Sequence, residues 1–338
     1  MEIRRVRQDE YRMLIDVMNG SFGFVDAEAQ FEHILPKLYR PDNAKPVHIG
    51  AFEGEKLVSS AGIYPLTLIN GDKTVSSACV GAVGTLPEYR RRGCFTKVME
   101  RVLAEARAMD IDLLYLGGDR LRYNRFGFEY GGRNLCVNIS SRTRQLLSPS
   151  EFEVVQYDAV SDADRSIASE MLKIYELAPM RAERSADNID RVLRSWNSTP
   201  YYVLGGQCSG ASSGGRSGPV IGYFSLSGGN VSEIGFTCDI DTILAAVLSV
   251  RDNANVVFPM SFYTPALLAR VDHYAVSQNH QFNVLNEYAV IRFLGSDPAA
   301  VKPLLSTDPL TRTRQLLGDP AFDSVTGTNI FISGADSA

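Results

Sequence analysis

The chain has 338 residues, long for one domain and comfortable for two, with 45% hydrophobic and 22% charged residues. That is the composition of a soluble globular protein with an ample core, and a net charge of -5 argues against nucleic acid as a general partner. Five cysteines, an odd number without C-x-x-C, make neither a disulfide framework nor a zinc pattern; the four histidines lack ligand spacing, so no metal is expected.

No window approaches the roughly eighteen consecutive apolar residues of a membrane-crossing helix. The N-terminus, M-E-I-R-R-V-R-Q-D-E, lacks the apolar core of a signal peptide. The expectation is a cytoplasmic protein with no membrane partner.

In chain order, residues 2–6 read as a strand, and a helix follows with Leu14, Ile15 and Met18 inward. Residues 20–25 form an aromatic turn and 27–39 a second helix. Three antiparallel strands come next, over 47–52, 57–69 and 74–85, the last two joined by the hairpin signal Asn70-Gly71. Residues 79–85 are small and β-branched, as a buried strand requires. Phe95, Val98, Met99, Val102, Leu103, Ala106 and Met109 then make one apolar stripe on a helix over 94–109. A buried strand at 113–118, parallel to 79–85, a short helix from Asp119 and a last strand at 135–140 complete the first half.

The strand-to-helix junction, Pro87 through Phe95, is where chemistry concentrates. A helix N-terminus offers unpaired N–H groups and partial positive charge. Gly93 admits close approach to the backbone, and Arg90, Arg91 and Arg92 add charge, so a phosphate or pyrophosphate is the natural guest. Cys94, at that helix start, is read as a small residue that fits beside a phosphate rather than as a nucleophile.

Tyr89–Phe95 resembles the acyl-CoA signature of the GNAT superfamily of N-acyltransferases, R/Q-x-x-G-x-G/A, with Arg90, Gly93 and Phe95 at the defined positions. Phe replaces the last small residue, which leaves the acyl-CoA choice open. Downstream, Tyr123-Asn124-Arg125-Phe126-Gly127-Phe128 resembles the family's Y-x-x-x-G-F segment. The resemblance implies acetyl-CoA as cofactor, with backbone groups of Val83 and Thr85 along the pantetheine arm. Arg90, Arg91, Arg92, Gly93, Cys94, Phe95 and Thr96 would surround the pyrophosphate. It also implies Tyr123 as general acid for the departing thiolate, and a first helical pair that covers the acceptor site, where Phe22, Phe24 and Tyr39 are candidates to line a pocket. The base is not readable among Asp26, Glu28, Glu32 and Asp119, the last of which suits a helix cap.

Composition turns polar at 141–153, and the second half repeats the order: helices over 161–177 and 185–196, a meander, a helix after Asp239 or Asp241, strand 255–258, helix 265–271 and a long strand 283–293. A Gly/Ser-rich stretch after 204 reads as a flexible hairpin loop. Acidic residues replace the arginine cluster at the second helix start, so the second copy is expected to have lost the cofactor. The resulting expectation is an α/β, mixed-sheet GNAT fold, duplicated, divided as 1–145, 150–296 and a C-terminal extension at 297–338. The tandem plan is similar to the enhanced-intracellular-survival (Eis-like) acetyltransferases, although the tail is too short for their third domain. The function implied is transfer of an acetyl group to a small-molecule or peptide amine. A non-catalytic acyl-CoA-binding module is the alternative, and homo-oligomerisation is left open.

Overall fold

The computed structural model of the chain describes residues 1–27, 30–40, 43, 45–159, 162–206, 218–278, 280–320, 330 and 332. Its contacts divide into two units, Met1–Gly132 with Gln278–Ile332, and Arg133–Ser277. Among the described residues no helix is long and apolar enough to cross a membrane.

The first unit begins with β1 (Glu2–Arg5), α1 (Tyr11–Phe22), α2 (Phe31–Ile34), β2 (Val47–Glu53), β3 (Lys56–Asn70) and β4 (Lys73–Thr85). Then come α3 (Cys94–Ala108), β5 (Leu113–Leu116), α4 (Arg120–Tyr123) and β6 (Glu129–Gly131). Leu14, Ile15, Val17 and Met18 give α1 its buried face, and it ends where Gly23 turns left-handed at φ +74°. Of the helix expected over 27–39, only α2 forms among the described residues; the Leu35–Tyr39 stretch packs its side chains without regular helix. The Asn70-Gly71 hairpin forms, with Asn70 opposite Lys73. Along α3, Val98, Met99, Val102 and Ala106 pack on Ile49, Ala51, Val58, Ile63, Ala78, Val80, Leu114 and Leu116 of the sheet.

The second unit holds β7 (Asn134–Ser140), α5 (Ser141–Arg144), β8 (Phe152–Gln156), α6 (Asp162–Glu176), β9 (Met180–Ala182), α7 (Ile189–Leu193) and β10 (Thr199–Gly205). It continues with β11 (Val220–Ser227), β12 (Asn230–Phe236), α8 (Ile240–Val250), β13 (Asn253–Pro259), α9 (Pro265–Leu268) and β14 (His273–Ser277). The loop read after 204 falls largely outside the described residues. The chain ends in the first unit with β15 (His280–Val284), α10 (Glu287–Phe293), α11 (Pro298–Val301) and α12 (Pro309–Leu317).

The two sheets share one strand order along their main path. The first runs β1-β2-β3-β4-β5-β15-β6 and the second β8-β10-β11-β12-β13-β7-β14. In each, three antiparallel pairs lead to one parallel pair, β4 with β5 and β12 with β13, and two antiparallel pairs close the far side. The duplicated plan expected from element order is therefore present.

Its boundaries are not where composition put them. The sixth strand of each sheet comes from the opposite half of the sequence: β15 lies between β5 and β6, while β7 lies between β13 and β14. Leu135, Val137 and Ile139 bury one face of β7, and all five residues of β15 are buried. Such alternation dictates a strand but does not name its sheet. The units thus divide near 132 and 278 instead of 145–150 and 296. The tail from 297 belongs with the first unit, where α12 buries Thr313, Leu316 and Leu317. The long strand expected over 283–293 is also two elements. Asn286 accepts a hydrogen bond from the Ala289 N–H at 3.3 Å and caps α10, whose apolar run had read as strand. The apolar stretch at 329–333 lies mostly outside the described residues.

Candidate functional site

The site is built on the end of β4. This strand pairs with β5 only from Ser77 to Cys79, opposite Leu113 to Tyr115. From Val80 on, no strand among the described residues pairs with it on its β5 side. A register shift on the other side, between Ser60 and Gly62, marks a bulge, and Ala82 there stands at φ +49°. An L-residue in that region costs about 1 kcal/mol, and bulges of this kind re-aim the strand. Val83 and Thr85 lie on this open stretch. Thr85 is fixed by its hydroxyl, 2.8 Å from Ser59 Oγ, which also donates to the Gly84 carbonyl at 2.7 Å.

The chain then turns through Arg91 at φ +64° and Gly93 at φ +77° into α3. Gly93 is the N-cap, with no side chain capping the helix, and a Cβ placed on it would meet open space within 4 Å. The first-turn N–H groups of Cys94, Phe95 and Thr96 face this opening, at the positive end of a 15-residue helix. Such a turn has the geometry of an anion cradle.

The arginines divide their labour in a way the sequence did not reveal. Arg90 donates to the backbone carbonyls of Thr85 (3.3 Å) and Ser21 (3.0 Å), so it ties the end of α1 to the end of β4. Arg92 makes an exposed contact of 3.5 Å with Glu53 and stands over the Tyr89 ring. Such a pair contributes little and is readily given up. Arg91 is exposed in the turn itself. Arg125, which sequence reasoning passed over, donates from Nη2 to Thr96 Oγ1 at 2.9 Å. Its guanidinium lies 4.8 Å from the Phe126 ring centre and 5.4 Å from that of Phe95. No local signal marked it, because Arg125 is one of the unspecified positions of the Y-x-x-x-G-F segment and lies beyond β5 and α4 from the helix it serves.

Phe95 takes the place of a small residue without filling the cradle. Its ring turns inward and meets Phe126 and Tyr123 edge to face, with centroids 5.5 and 5.9 Å apart. Cys94 is buried, its sulfur near the Met1 sulfur and the Tyr89 carbonyl, in a packing role.

Tyr123 ends α4, which Asp119 caps by accepting from the Leu121 N–H at 2.9 Å. The ring is only 5% exposed, held by Phe95 and Phe128. Burial pushes its phenol above the ordinary tyrosine range; Arg122 works against this and Asp119 with it. It is therefore a phenol, and a proton holder, at neutral pH.

On the other side of β4, Phe22, Phe24, Phe31 and Tyr39 form a chain of rings with centroids 5.1 to 5.6 Å apart. Phe22 is 47% exposed, while Tyr39 is buried and hydrogen-bonded to Tyr64. The candidate bases separate: Asp26 is exposed, Glu32 faces Arg12 at 3.3 Å, Asp119 is a cap, and Glu28 lies outside the described residues.

The corresponding junction of the second unit is closed. Asp239 accepts from the Thr242 N–H at 2.8 Å and caps α8, and Asp241 accepts from the Ser148 N–H at 3.1 Å. Phe236 at the end of β12 meets Phe258 and Phe262, centroids 6.5 and 5.7 Å away, where β12 and β13 part. Carboxylates and rings stand where the first unit has bare amides and open edge.

Residues 2–131 match the model of the acetyltransferase (GNAT) domain family. The chain carries a GNAT acetyltransferase domain. Its fold is similar to that of a probable N-acyltransferase from Enterococcus faecalis V583, 15% identical, with a TM-score of 0.64 over 85% of this chain and 73% of that one. A GCN5-related N-acetyltransferase from Kribbella flavida is 18% identical, with a TM-score of 0.60 over 86% and 73% of the two chains. Eis1 from Mycobacterium abscessus is 17% identical, with a TM-score of 0.60 over 87% and 76%. At these identities the likeness is one of fold, and in each case it spans more than the GNAT domain. No curated protein matches the sequence.

Proposed function

We propose that the chain moves the acetyl group of acetyl-CoA directly to a primary amine, within a ternary complex. One observation carries this reading: the open edge of β4, the uncapped first turn of α3 and the Tyr123 phenol belong to one unit. When bound, acetyl-CoA supplies a thioester, an acyl group already activated toward amines.

The chain supplies placement and proton transfer. Backbone groups of Val83 and Thr85 take the pantetheine arm as an added strand would be taken. The amides from Arg91 to Thr96 take the pyrophosphate, with Arg125 beside them and Arg92 free to turn from Glu53. Tyr123 holds the proton for the departing thiolate at its Oη. Glu32 is engaged with Arg12 and Asp119 with its helix, and in this reading water accepts the ammonium proton. A net charge of -5 favours cationic acceptors such as polyamines, aminoglycosides or lysine-containing peptides, and a cytoplasmic setting goes with them.

The 5% exposure of Tyr123 favours a second reading, an acyl-CoA-binding module without turnover. Thiol release from acetyl-CoA across a panel of amines separates the two. Release with at least one amine supports the transferase; tight cofactor binding with no release from any amine supports the module.

A further inference from the structure

The end strands of the two sheet orders are not alike. β1 carries Glu2, Arg4 and Arg5, β8 carries Glu153, and β6 is three residues long and begins with Glu129. Charges and shortness are what keep an edge strand from pairing with another chain. β14 carries no such charge. Its sequence His273-Tyr274-Ala275-Val276-Ser277 contains no Asp, Glu, Lys, Arg or Pro, and it is the outermost strand of its sheet. β7 occupies its inner side along the whole length, and among the described residues no strand pairs with its outer side.

Most of this strand is also exposed. His273, Tyr274, Ala275 and Val276 are all exposed, Tyr274 to 50% and Val276 to 47%. Tyr263, 46% exposed, meets Tyr274 edge to face at 6.0 Å and widens the apolar patch. Large apolar side chains grouped at an open edge mark an interaction surface.

We propose that β14 pairs antiparallel with β14 of a second copy of this chain, joining the two second-unit sheets into one. The sequence is complementary to itself. A two-fold axis through Ala275 sets Tyr274 of one copy opposite Val276 of the other, twice, on one face. On the other face His273 meets Ser277, and beyond the strand Asp272 meets Gln278, so no like charges oppose each other. Aromatic against β-branched is a favourable cross-strand pair. A five-residue strand and two tyrosines a side make less than the about 800 Å² per partner of a standard interface, so the dimer is concentration-dependent.

Sedimentation velocity on the full chain across a wide concentration range tests this. The expected result is a rise from one chain to two, abolished in Ala275→Lys and in Val276→Lys, since each puts two like charges at the seam. Gln156→Lys, on the exposed end of β8, should dimerise as the unmodified chain does. Hydrogen exchange on the unmodified chain should show the β14 amides slowing as concentration rises, a readout that needs no variant to fold. A chain that stays monomeric up to its solubility limit overturns the proposal. So does a dimer that survives both lysines or leaves β14 exchange unchanged.

Discussion

Arg125 donates to Thr96 Oγ1 at 2.9 Å, which fixes a cation at the first turn of α3. A charge beside unpaired helix amides strengthens an anion site, whereas Arg90 is committed to two carbonyls and Arg92 to a loose surface pair. Arg125→Gln should therefore weaken CoA binding by roughly 10-fold, the worth of one charge-assisted hydrogen bond. Arg92→Gln should cost less. Arg90→Gln should lower thermal stability along with affinity, because it unties α1 from β4. Calorimetric titration of the three variants with CoA orders them; equal losses would disprove the division of roles.

Tyr123→Phe keeps the ring among Phe95 and Phe128 and removes only the proton. Turnover should fall roughly 10²–10⁴-fold at saturating acetyl-CoA with little change in cofactor affinity. A purely packing tyrosine would lose about 1 kcal/mol of stability and keep its turnover. The measurement is the rate of thiol release with a good amine.

Cofactor should bind once per chain. Asp239, Asp241 and the rings of Phe236, Phe258 and Phe262 occupy the second junction. A calorimetric stoichiometry of two would show that this junction opens.

Glu129 is buried, and Arg120 (2.6 Å), the Tyr130 N–H (2.9 Å) and Arg314 (3.0 Å) all reach it. Burial works to raise its pKa, but these donors outweigh burial and bring it down to about 2. A depressed carboxylate stabilises the fold fully above its unfolded pKa, about 4.3, and the contribution drains away as pH falls toward 2. Glu129→Gln should cost on the order of 3 kcal/mol at neutral pH, since it leaves buried donors poorly matched. It should also flatten the loss of melting temperature between pH 4 and 2, which thermal scans across that range would read.

Much of the site could be read from residues alone, because its features are local. Gly93 after three arginines, an apolar stripe starting at Phe95 and the Tyr123–Phe128 segment each lie within one turn or helix. What could not be read was partnership at a distance. Nothing in the Arg90 environment along the chain announces the Ser21 carbonyl, and nothing near Arg125 announces Thr96. The same holds for the fold. Leu135, Val137 and Ile139 say that a strand forms with one buried face, yet the choice of neighbouring strand is made by residues more than a hundred positions away. The misread helix at Glu287–Phe293 is of another kind: its apolar run fits either period, and the cap at Asn286 decides.

The reciprocal placing of β7 and β15 makes the order of synthesis matter. When residue 145 has left the ribosome, the first sheet still lacks the strand that separates β5 from β6, and β7 has no sheet to join. Closing the first sheet means joining segments over more than 150 residues of intervening chain, so the unit that carries the candidate site can be completed only after the second unit has been made. A fragment of 1–145 should accordingly be insoluble or bind no CoA, despite carrying every residue of the cradle. Co-expressing 1–145 with 146–338 should restore it.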